Sequence, residues 1–168
     1  MIVARNNTAN SALIIIDMTN PIPEQWLQHQ DAHCRLIVKI NNLISRWNGP
    51  VILANYGVGD NKSIHTHIAS VETEVLGKKR HLISYDKETV INYLNSNNIT
   101  NVHYVGQSMP GCIMFRPLGY KALTEEGFNC TVLPKYTEFV CGKELNIEDT
   151  IHEAYHFMIN NNINIEYM

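Results

Sequence analysis

Two side chains in this sequence have the type and the placement to do covalent chemistry together. Cys112 ends the stretch Gly106-Gln107-Ser108-Met109-Pro110-Gly111-Cys112, which directly follows an apolar segment, 102–105 (VHYV), that reads as a strand. A helix predicted to open at Gly111 would offer its unpaired first-turn N–H groups to the sulfur, and these together with the helix dipole favour a thiolate. The same N–H groups suit the oxyanion of an acyl-transfer intermediate. Asp17 ends the run 11–17 (SALIIID). A carboxylate at an apolar rim binds its proton more tightly than one in water, as a base requires. The plainer account of Asp17 is a cap on the following turn. The plainer account of a lone cysteine is a small buried hydrophobe, and Cys34 and Cys130, on predicted core faces, are read that way. Cys141 falls in a loop with no obvious partner.

The elements around these residues alternate between two periods. The Ile-rich run 11–17 suits a strand buried on both faces. From 31 to 47 the apolar residues recur at three and four, and Gly49-Pro50 stops that helix before a second strand, 51–55. Residues 56–73 read as a long loop. Residues 86–97 form a helix, 102–105 the third strand, and 111–126 a further helix that Pro117 must bend or restart. Gly127 caps it. A fourth strand, 129–133, a last helix, 146–160, and a short terminal strand, 163–167, complete the pattern. Strands separated by helices predict one α/β domain over 1–168, a three-layer α/β/α sandwich with a mostly parallel central sheet. Ligands of such sheets bind beyond the carboxyl ends of the strands, which is where Asp17, Asn55-Tyr56 and 106–112 all fall.

Composition removes several function classes. A net charge of −3 with no run of Lys and Arg supplies no basic stripe for nucleic acid. The longest apolar run, 12–16, is far short of the roughly 20 residues of a membrane span, and the polar residues 1–10 carry no signal-peptide pattern. Four cysteines without CxxC spacing form neither a zinc knuckle nor a disulfide framework. The expected compartment is the cytoplasm. The stretch 106–111 spells GxxxxG, yet Cys112 and Ile113 stand where a phosphate-binding loop needs Lys and Ser or Thr.

Three blocks of the chain resemble the isochorismatase-like family of cysteine hydrolases. LIIIDMTN (13–20) is similar to the family's first strand, an apolar run ending in Asp-x-Gln-Asn, with Thr19 in place of Gln. VLGKKRHLISYDKETVINYLNSNNI (75–99) resembles the segment that carries the family's lysine. VGQSMPGCIM (105–114) is similar to Gly-x-x-Thr-Asp-x-Cys-Val, and the spacing from Gly106 to Cys112 matches without adjustment. IHEAYHFM (151–158) looks like the family's last helix.

This resemblance implies a hydrolase with an Asp17–Lys79–Cys112 triad, Lys78 taking the lysine's place if a one-residue gap intervenes. Cys112 would attack a carbonyl or amide carbon and Asp17 would take its proton. The backbone N–H groups of Ser108 and Cys112 would form the oxyanion hole, and the Gln107–Ser108 bond would be cis. Substrates would be small amides, ureido compounds or related C–N species, less readily a vinyl ether, and the protein would be a homo-oligomer without nucleic acid or membrane partners. Tyr56, Tyr85, Met109 and Phe115 are candidate pocket residues, each equally well explained as packing. The nicotinamidase branch binds a metal through Asp and His after the second strand. This chain reads Asn55-Tyr56-Gly57-Val58-Gly59 there, so no metal and no cofactor is expected. Met109 and Pro110 in place of Thr-Asp depart from the family pattern and keep open a catalytically silent binding module.

Overall fold

A computed structural model describes residues 10–18, 30–54, 81–139 and 147–168. Their elements run β1 (Ser11–Ile16), α1 (Gln30–Ile44), β2 (Val51–Ala54), β3 (His81–Ile83), α2 (Lys87–Ser96), β4 (Asn101–Met109), α3 (Gly111–Phe115), α4 (Tyr120–Glu125), β5 (Asn129–Phe139) and α5 (Ile147–Asn160). The sheet order is β3-β2-β1-β4-β5, and all four pairings are parallel. None of these helices is long and apolar enough to cross a membrane.

Every residue of β1 is buried because the strand has protein on both faces. Leu13 and Ile15 pack toward α1 with Leu36, Ile40 and Leu43, while Ala12, Ile14 and Ile16 pack on the other side with Val90, Leu94 and Met158. An uninterrupted apolar run is what such a strand requires, and the three expected layers follow from it. In α1 the buried face runs through His33, Leu36, Ile37, Ile40, Leu43 and Ile44. Cys34 is exposed instead of lying on the core face expected for it, since it sits about 100° of helix rotation beyond His33. Cys130 is in the core as expected. The α2 helix starts at Asp86, whose carboxylate accepts the Thr89 N–H at 2.8 Å.

Other departures from the sequence pattern have local causes. β3 has only three residues, too few to show a period. β4 and β5 run on through polar residues along the sheet's rim, where Thr137 pairs with Gly106 and Glu138 with Gln107 and Ser108 falls at a register shift. Between these pairs β5 makes an excursion: Tyr104 faces Val132 and Gly106 faces Thr137, so residues 133–136 stand against Val105 alone. Pro134, which has no N–H to donate, falls in this excursion on an edge strand of the described sheet. The terminal segment forms a single parallel bridge, Ile165 to Val132, in place of a strand.

The expected helix over 111–126 is two helices. Pro117 excludes its predecessor from the helical region, and Arg116 is extended at φ −64°, ψ 158°. The chain turns sharply before α4, with the Gly119 N–H on the Arg116 carbonyl at 2.7 Å and the buried Tyr104 hydroxyl on the Leu118 carbonyl at 3.0 Å.

At the carboxyl end of the sheet, β4 passes β1 at Gly106, opposite Ile16. Gly106 has φ +106°, and a Cβ there would run into the Ile16 carbonyl oxygen and lie 2.9 Å from its nitrogen. Backbone strain and steric overlap therefore act together. Gly106→Ala is expected to lower stability by about 2–4 kcal/mol, read as a reduced denaturation midpoint in urea with an unchanged slope; a loss within experimental error would show that the strands can part without cost.

Candidate active site

The switch point of the sheet lies between β1 and β4, where the chain's progress from β1 outward to β2 and β3 reverses to β4 and β5. In open parallel sheets such a crevice is where ligands bind. β1 delivers Asp17 to it and β4 delivers the loop ending in Cys112.

Asp17 follows the last residue of β1 with φ +50°, a left-handed conformation that Asp tolerates better than most residues. Its N–H is held by the Ala54 carbonyl of β2 at 3.0 Å. The side chain is buried and receives Arg116 through two nitrogens, Nε and one terminal nitrogen, each 2.8 Å from Oδ2. Arg116 reaches back to β1 because Pro117 has broken the helix at that residue. Burial opposes the guanidinium charge, yet the Asp17 carboxylate and the Cys112 sulfur more than offset it and push the Arg116 pKa up.

Cys112 is half-buried in the first turn of α3, fixed by the buried neighbours Ile113 and Met114. Its thiol hydrogen-bonds the Asp17 carboxylate, and the Ser108 N–H is directed at its sulfur. Burial pushes the thiol above its ordinary pKa; the charge of Asp17 and the thiol–carboxylate hydrogen bond raise it further, while Arg116 and the Ser108 N–H act in the opposite direction. The influences that raise the pKa favour the protonated thiol, the form that donates to the carboxylate. The Gln107–Ser108 peptide is cis, as the resemblance implies, and so is Met109–Pro110. A Cβ on Gly111 would come within 3.1 Å of Ser108 Oγ, so the loop folds closely on itself.

Asp17, Ser108 and Cys112 are thus brought together. Lys79, its rival Lys78, and Tyr56 lie outside the described residues. Of the other expected pocket residues, Met109 is wholly buried in the core cluster with Ile113 and Met114. Phe115 is 63% exposed with its ring against Phe157, and Tyr85 is exposed between β3 and α2. Among the described residues no group of three or more His, Cys, Asp or Glu side chains could hold a metal.

No protein-family model matches the chain, and no curated protein matches it in sequence. Solved structures do match. A protein described as an isochorismatase family protein superposes with a TM-score of 0.66 at 15% identity, over 94% of this chain and 98% of its own. The chain has the isochorismatase-like fold. The same fold relates it to the YcaC gene product of Escherichia coli, an octameric hydrolase of unknown specificity (TM-score 0.64, 16% identity, 99% of this chain and 79% of that one). A nicotinamidase from Staphylococcus aureus also shares it (TM-score 0.56, 13% identity, 94% and 99%).

Sequence reasoning did not single out Arg116. The signal was present: a cation four residues after the cysteine, immediately before a proline that must end the helix. Its sign of action can be measured. The alkylation rate of Cys112 by iodoacetamide should rise with pH about a midpoint above the ~8.5 of a free cysteine. Asp17→Asn should lower that midpoint by removing the carboxylate's charge, and Arg116→Leu should raise it. Mass spectrometry of the labelled peptide separates Cys112 from the other cysteines, and the reverse order of midpoints would contradict the electrostatics described here.

Proposed function

We propose that this chain is a cysteine hydrolase of the isochorismatase-like family, cleaving a small amide, ureido or related C–N bond, with a vinyl ether the lesser alternative. The observation that carries the proposal is the Cys112 thiol hydrogen-bonded to the buried carboxylate of Asp17. In the first step the sulfur attacks the substrate's carbonyl carbon while its proton passes to Asp17. The oxyanion takes hydrogen bonds from the backbone N–H groups of Ser108 and Cys112. As the C–N bond breaks, Asp17 returns the proton to the leaving nitrogen and a thioester remains. Water, deprotonated by Asp17, then hydrolyses the thioester and frees the thiol.

Arg116 holds the Asp17 carboxylate in place through two nitrogens and limits how far the thiol's pKa rises. By resemblance Lys79, or Lys78 in its place, is assigned the family's lysine role, and Tyr56, Tyr85 and Phe115 are candidates for substrate contacts, Met109 being closed off in the core. The reaction needs no metal or cofactor in this scheme. A homo-oligomer acting in the cytoplasm fits the octameric fold neighbour and the three unpaired cysteines among the described residues. A silent binding module is the second reading, favoured by Met109 and Pro110 standing where the family pattern has Thr-Asp.

A panel of small amides and ureido compounds, assayed for released ammonia, decides between the two. Turnover should fall about a thousandfold or more in Cys112→Ser. It should fall similarly in Asp17→Asn, even though that variant's thiol ionises more readily. Loss of turnover alongside easier ionisation marks Asp17 as the proton carrier. Ammonia release surviving in Cys112→Ser would remove the cysteine mechanism, and no release from any member of the panel would favour the binding module.

A further inference from the structure

The outer face of α5 carries two histidines that the site above does not use. Ala154 and Met158 turn inward and are buried, which leaves His152 and His156, one helical turn apart, exposed on the opposite side. Their Nε2 atoms are 2.9 Å apart, the ring centroids are 4.4 Å apart, and the ring planes stand at 81°.

These values match a definite coordination geometry. With metal–nitrogen bonds of about 2.05 Å, two imidazoles on adjacent positions of a square-planar or octahedral ion have nitrogens about 2.9 Å apart; a tetrahedral ion sets them about 3.3 Å apart. Rings aimed at one centre from adjacent right-angled positions have centroids about 4.5 Å apart. A straight N–H···N hydrogen bond with both rings in line would separate the centroids by about 5.2 Å. The 2.9 Å nitrogen separation fits a right-angled ion and excludes the tetrahedral spacing, and the 4.4 Å centroid separation is nearer the right-angled arrangement than the in-line hydrogen bond.

We propose that His152 and His156 form a surface chelate for a late first-row divalent cation of square-planar or octahedral preference, Ni(II) or Cu(II), with water in the remaining positions. The sequence from 152 to 156, His-Glu-Ala-Tyr-His, has the spelling of a helical zinc-peptidase motif. Among the described residues, however, no third His, Cys, Asp or Glu completes a set with the pair, so the proposal rests on the two histidines. Holding one imidazole makes binding of the second intramolecular, and losing either should cost roughly a hundredfold in affinity.

The test is Ni(II) titration of the full chain by calorimetry, beside His152→Gln, His156→Gln and Cys112→Ser. One equivalent should bind to the wild-type protein and to Cys112→Ser alike, and each histidine variant should bind it much more weakly while keeping its circular dichroism. Cu(II) bound to the wild-type chain should show nitrogen hyperfine splitting from two equatorial imidazoles, and a single histidine variant should show one fewer. Affinity unchanged in the histidine variants, or no Ni(II) uptake by the wild-type chain, would overturn the proposal and leave the pair a hydrogen bond between two rings.

Discussion

Backbone contact between Gly106 and Ile16 governs how closely the two central strands converge at the carboxyl end of the sheet. A side chain at 106 would hold β4 away from β1, and every residue beyond that point is placed relative to this approach. Asp17 follows Ile16 directly and Ser108 follows Gly106 by two, so the carboxylate and the loop N–H are both referred to one pair of touching backbones. Cys112 inherits its position from the same contact through the close fold of Gly111 on Ser108. Close-packed interiors transmit such shifts instead of absorbing them, so a change in the strand spacing would be felt at the sulfur.

The electrostatics of the site rest on a balance of opposed effects. Burial and a neighbouring carboxylate keep Cys112 a thiol, while a guanidinium and a backbone N–H hold that tendency in check. A group balanced in this way is a poor indiscriminate nucleophile, and Arg116 and the Ser108 N–H limit what its deprotonation costs. Two of the three Arg116 nitrogens fall on one carboxylate oxygen, a charge-assisted arrangement that fixes the carboxylate's orientation.

Much of this was legible in the sequence, for identifiable reasons. The Ile-rich run of β1 can only be a strand covered on both faces, and the spacing from Gly106 to Cys112 places a cysteine where a helix opens after a strand. The cis bond before Ser108 came from resemblance alone; no local pattern in Gln107-Ser108 announces it. Arg116 was hidden because its role depends on Pro117 breaking the helix. Taken as a departure from a continuous helix, that proline is the device that turns Arg116 back onto β1. The rims of β4 and β5 escaped hydropathy because Gln107, Ser108 and Thr137 are polar and yet buried within the sheet, a pairing visible only once the strands lie side by side. Cys34 was misplaced by one helical step, the usual error when an apolar side chain borders a core stripe.

The excursion of β5 at 133–136 bears on how open the edge of the described sheet is. An eleven-residue strand at the margin of a sheet offers a long row of unpaired amides to any passing strand. Here Pro134 interrupts the row, and the terminal segment lies along it: the Val132 N–H reaches the Asn164 carbonyl at 2.9 Å, and Glu166 donates to the Val132 carbonyl at 3.1 Å. Residues 164–166 thus satisfy both backbone groups of Val132 and cover the edge beside the proline, so this stretch of the strand presents no open pairing face.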